Sequence, residues 1–75
     1  MTLDTVAMDV PVRVLGYAGL DAHDKERLAG LGLRPGVSLV KILKTPLRDP
    51  IECLVGSQLL AIEARLLSQI RVEAA

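Results

Sequence analysis

The sequence contains no Trp and no Phe, and Tyr17 is its one aromatic residue. Its core must therefore be built from branched aliphatics, which favours strands where Val and Ile concentrate. The chain also lacks net charge, since nine basic residues balance nine acidic ones. A dedicated nucleic-acid binder usually carries a basic excess and aromatic stacking partners, so that class is disfavoured. One cysteine, Cys53, cannot form an internal disulfide, so nothing demands an oxidising compartment. No apolar run approaches the roughly 20 residues needed to span a bilayer. Met1 to Val10 carries Asp4 and Asp9 without the basic start of a signal peptide. A cytoplasmic location is expected, with no direct membrane insertion.

What is present is aliphatic: 26 of the 75 residues are Leu, Val or Ile. That length suits one small domain, expected over residues 1–75. Leu3 and Val6 can pack as a short cap. Val10 to Leu15 reads as a first strand, with Val10, Val12 and Val14 on one face. Asp21 is an N-cap and Asp24 favours the first turn of a helix over Ala22 to Leu31. Leu28 and Leu31 are expected on its inner face.

Arg27 to Gly36 reads R-L-A-G-L-G-L-R-P-G. Gly32 can take the left-handed conformation that closes a helix, which brings Leu28 and Leu33 together. Pro35-Gly36 fits the two central positions of a type II turn. Val37 to Lys44 then reads as a strand with apolar residues on both faces. Thr45 to Pro50 is a loop, Ile51 to Val55 a strand and Gly56-Ser57 a two-residue hairpin. Gln58 to Ile62 returns, Glu63 to Gln69 makes a single helical turn or a wide turn, and Ile70 to Val72 is the last strand. Glu73 to Ala75 should fray. Five short strands around one aliphatic core suggest a small mostly β barrel, SH3-like, with one helix inserted after the first strand.

The pattern is similar to the FeoA family, small SH3-like barrel domains associated with bacterial ferrous iron uptake. The resemblance is carried by R-L-A-G-L-G-L-R-P-G, by D-P-I at Asp49 to Ile51, by the hairpin at Gly56 and by L-A-I-E-A-R-L-L-S-Q-I-R-V at Leu60 to Val72. It runs from about Leu3 to Val72. Glu63 and Leu67 depart from it, because the family often has a basic residue and an alanine there. The resemblance implies a cytoplasmic, non-enzymatic accessory protein that acts through contacts with the GTP-binding region of a FeoB-like membrane iron transporter. The same barrel closes iron-dependent transcriptional repressors, which gives the alternative of a metal-sensing domain.

The residues themselves offer little chemistry. No Ser/His/Asp set or phosphate-cradling glycine loop can be made out, so no enzyme is expected. His23, in D-A-H-D-K-E, and Cys53 are the candidates for a weak divalent-metal site, but neither has the convergent partners a metal needs. His23 is expected to face water and Cys53 to be a buried structural thiol. Lys41, Lys44 and Arg48, with Arg34, would form an ordinary solvated face or a basic rim. The positive signal is surplus aliphatic surface. Val10, Val12, Val14, Leu28, Leu31, Leu39, Ile51, Val55, Leu60, Ile62, Ile70 and Val72 can fill one interior. Leu43, Leu47, Leu54, Leu59 and Leu66 are then left over, and grouped on the surface they would bind a partner or a second copy.

Overall fold

The computed structural model describes residues 1–44 and 49–75, with the backbone alone at 43 and 44. Among the described residues the chain forms β1 (Val12–Tyr17), α1 (Ala22–Gly30), β2 (Ser38–Lys44), β3 (Ile51–Val55), β4 (Gln58–Ile62), α2 (Ala64–Leu67) and β5 (Ile70–Ala74). A 3₁₀ turn at Leu3–Thr5 precedes them. The strands make one antiparallel sheet in the order β4-β3-β2-β1-β5. The fold is mostly β with one short inserted helix, as the sequence suggests. Register shifts fall between Val14 and Gly16 and between Lys41 and Leu43. Such shifts bend strands and increase twist.

The helix begins where capping predicts. The Asp21 carboxylate accepts from the Asp24 amide at 2.8 Å. Its end is a two-bond closure: the Gly32 amide donates to the Ala29 carbonyl and the Leu33 amide to the Leu28 carbonyl, each at 3.0 Å. Gly32 has φ 95°, the conformation such a closure requires. The next corner is a turn in which the Val37 amide donates to the Arg34 carbonyl at 3.1 Å, with Gly36 at φ 93°. The Gly36 amide then donates to the Val14 carbonyl at 2.7 Å. Helix end and corner are thus fastened to β1 before β2 begins.

Leu28 and Leu33 are both buried, but Leu31 is not: it stays 40% exposed. The helix stops at Gly30, and Leu31 serves as C-cap with ψ near zero. The expected inner position is taken by Leu33, two residues beyond. Val10 is likewise exposed rather than core. The strand starts later than the alternation suggested, because Asp9 has φ 66° and its amide donates to the Lys41 carbonyl at 2.7 Å. That bond ties the approach to β2, and the ladder with β5 opens only at Val12, opposite Ala74.

The core closes at its ends with short pieces, one of them expected and one not. Leu66 was expected to be left over, yet it is fully buried. The single turn of α2 seats Leu66 and Leu67 in the core. Burial of such a side chain contributes roughly 2 kcal/mol. The Ala64 amide, at the start of that turn, donates to the Asp49 carboxylate at 2.9 Å. Leu3 and Val6 cap the core from the N-terminal segment. Glu73 and Ala74 do not fray: they pair with Arg13 and Val12, and the Arg13 guanidinium lies 3.0 Å from the Glu73 carboxylate.

Candidate interaction surface

The strongest surface feature follows from the hairpin. Gly56 has φ 59° and leaves a two-residue loop, so Val55 stands opposite Gln58. That register places Leu54 opposite Leu59 and Cys53 opposite Leu60. On β3, Ile51, Cys53 and Val55 turn inward and are buried. Leu54 therefore turns outward with Leu59, and the two are 37% and 58% exposed. Directly opposed residues on one face lie about 5 Å apart at Cβ, close enough to form a joint apolar patch. Val40, half-buried on β2, stands opposite Leu54 on its other side. The stripe Val40–Leu54–Leu59 crosses three strands. Val40 was not singled out from the sequence, where the two faces of β2 look equally apolar.

Leu43 is placed by its backbone pairing with Glu52. Its side chain and all of Leu47 lie outside the described residues, as do the side chain of Lys44 and all of Arg48. The expected basic rim therefore rests on Lys41 and Arg34, and Lys41 does not belong to a solvated face. It is 6% exposed, and its amine donates to the Leu3 carbonyl at 2.9 Å. The inward run Leu39, Lys41 along β2 explains this: the lysine occupies a core-facing position and its amine binds the N-terminal turn. Beside it is a cleft of about 220 Å³ lined by Asp4, Val6, Met8, Ile51 and Leu67. Arg34 is exposed and turns back on the helix, donating to the Ala29 carbonyl at 3.0 Å.

His23 is exposed on α1. Cys53 is fully buried, and burial pushes its thiol up to about 11 against a smaller opposing effect of Lys41. Such a thiol stays protonated and is a poor ligand or nucleophile. Among the described residues no three His, Cys, Asp or Glu side chains come together as a metal-ligand group. Tyr17 donates its hydroxyl to the Leu33 carbonyl, and burial raises its pKa.

A charged network joins the two helices. Arg27 lies 3.0 Å from Glu63 and 3.7 Å from Asp24, while Arg65 lies 3.0 Å from Glu63 and 3.4 Å from Asp24. Each arginine thus bridges the same two carboxylates. The hydrogen bond to Asp24 is the main cause that raises the Arg65 pKa. The Asp24–Arg27 half is an i, i+3 pair on α1. The other half needs residues distant in sequence, and it uses Glu63, one of the two departures from the FeoA pattern.

The family model for the FeoA domain matches residues 1–74. The chain belongs to the FeoA domain family. The solution structure of iron(II) transport protein A from Clostridium thermocellum superposes with a TM-score of 0.86 at 29% identity, covering 100% of this chain and 46% of that one. This chain thus spans just under half of that neighbour. FeoA from Chlorobium tepidum superposes with a TM-score of 0.90 at 28% identity, covering 99% of this chain and 70% of the other. FeoA from Stenotrophomonas maltophilia, solved with zinc and described as a prokaryotic SH3 domain protein, has a TM-score of 0.79 at 25% identity, covering 97% and 89%. No curated protein matches the sequence. The FeoA domain family is linked to ferrous iron transport, and neither the family nor its SH3-like fold is known for enzymes. Among the described residues no helix is long and apolar enough to cross a membrane.

Proposed function

We propose that this FeoA domain is a non-enzymatic, cytoplasmic accessory protein of bacterial ferrous iron uptake. It acts by docking the Val40–Leu54–Leu59 stripe onto the cytoplasmic GTP-binding region of a FeoB-like transporter. Family membership supplies the pathway, and the S. maltophilia relative has been put forward as a ferrous iron transport activating factor. The observation that carries the docking reading is the exposed cross-strand pair Leu54 and Leu59, on a sheet whose other face is already filled by the core. Water-exposed leucines in register gain free energy on being covered, at about 25 cal/mol per Å². The test is titration of that GTP-binding region with the wild-type chain and with a Leu54→Ser/Leu59→Ser variant.

A second reading, direct binding of a divalent ion, rests on the zinc complex of the S. maltophilia relative. Calorimetry with zinc or ferrous iron, on the wild type and on His23→Ala and Cys53→Ala, tests it. An isotherm unchanged by both substitutions removes those residues from any such site.

A further inference from the structure

The two edges of the sheet are finished differently. Outside β5 runs the N-terminal segment: Thr2 bridges to Arg71, and the Val72 amide donates to the Met1 carbonyl at 2.9 Å. The exposed side chains of β5 include Arg71 and Glu73. β4 has no such cover. Among the described residues nothing pairs with its outer side. Its sequence, Q-L-L-A-I, carries no charge and no proline, and its ladder with β3 runs without a register shift. Charges, prolines and bulges are the devices that keep sheet edges from pairing, and β4 has none of them.

The hairpin also fixes which groups are on offer. A two-residue loop is closed by a hydrogen-bonded pair, here Val55 and Gln58. Alternation then makes Cys53–Leu60 and Ile51–Ile62 the other hydrogen-bonded pairs. Leu59 and Ala61 therefore direct their amides and carbonyls away from β3, along the bare edge.

We propose that β4 pairs antiparallel with β4 of a second copy, about a two-fold axis through Leu60. Leu59 then exchanges two hydrogen bonds with Ala61 of the second copy, and Ala61 with its Leu59, in a closed isologous interface. An uncharged strand is complementary to itself, and two chains of zero net charge do not repel. A charged peptide would find no counter-charge along this edge. The axis stands perpendicular to the sheet, so the Leu54–Leu59 patches of both copies fall on the same side and merge. Strand pairing covers the edge and leaves that face open, so this inference stands apart from the docking reading and would double the surface that reading uses. One strand pair buries less than the roughly 800 Å² per partner of a standard interface, so the dimer is weak, with Kd on the order of 100 µM.

Sedimentation velocity from about 10 µM to about 1 mM spans that affinity. The expected result is a sedimentation coefficient that rises with concentration from monomer to dimer and is unaffected by salt. Ala61→Pro removes an amide that does not face β3, and Ala61→Lys places a charge on the edge and serves if the proline variant does not fold. Each should shift the association by about tenfold or more toward monomer. Leu54→Ser alters the face and not the edge, and should associate like the wild type. A wild-type chain still monomeric at 1 mM overturns the proposal, as does association that survives Ala61→Lys and is lost in Leu54→Ser.

Discussion

The amide of Leu33 donates to the carbonyl of Leu28 at 3.0 Å, and both side chains are buried within one core. Five residues apart in sequence, they close the helix and seat its end in the sheet. The left-handed glycine between them makes this geometry accessible to an L-chain.

Replacing that glycine isolates the backbone contribution. A Cβ added at Gly32 would meet nothing within 4 Å, so Gly32→Ala is free of clashes and strained only through φ. The expected loss is about 1–2 kcal/mol, read as a lower urea midpoint at unchanged slope. Unchanged stability would mean that the closure does not hold the helix end.

Leu66 lies in a single helical turn but is fully buried. Leu66→Ala should cost about 2–5 kcal/mol, as large-to-small core changes do. Leu59→Ala, on the outer face, should change stability by about 0.5 kcal/mol or less. Chemical denaturation of both variants checks the contrast.

Glu63 is shared by Arg27 and Arg65. Glu63→Lys breaks both contacts and sets a third cation beside two arginines. A Tm lowered by a few degrees at low salt is expected. The gap to the wild type should narrow at high salt, because screening shortens from about 10 Å at 0.1 M to about 3 Å at 1 M. Thermal unfolding at both salt concentrations is the measurement.

Cys53 makes stability depend on pH on the alkaline side. Its folded pKa of about 11 lies above its ordinary value of 9.0. The unfolded thiol therefore loses its proton first, so the contribution is fully present below pH 9 and is lost as pH rises toward 11. Its size is roughly 2–3 kcal/mol across that window. Urea unfolding at stepped pH should show a steeper alkaline decline for the wild type than for Cys53→Ala. The native thiol should also react slowly with a disulfide reagent at pH 8.

The parts of this fold that the sequence displays are those where one residue type is required locally. Gly32, Pro35-Gly36 and Gly56 mark the helix closure, the corner and the hairpin, and the last of these fixes the register that opposes Leu54 to Leu59. The hidden parts depend on contacts far along the chain. Lys41 looks like a solvated lysine, because the carbonyl it binds belongs to Leu3. Leu66 looks superfluous, because a four-residue helix has no period to read. Leu31 looks like a core residue because the heptad-like spacing from Leu28 continues past the point where the helix ends. The outward stripe was half legible: Leu54 and Leu59 follow from alternation, while Val40 follows only from the pairing of β2 with β3.

Docking of the outer face on the transporter is the central claim, and titration calorimetry with the cytoplasmic GTP-binding region of a FeoB-like transporter tests it most directly. The wild-type chain should bind at concentrations up to several hundred micromolar, a range suited to weak contacts. The Leu54→Ser/Leu59→Ser variant, folded by circular dichroism, should lose that binding at least tenfold. Absence of wild-type binding over the whole range, or equal binding by the folded double variant, would contradict the account.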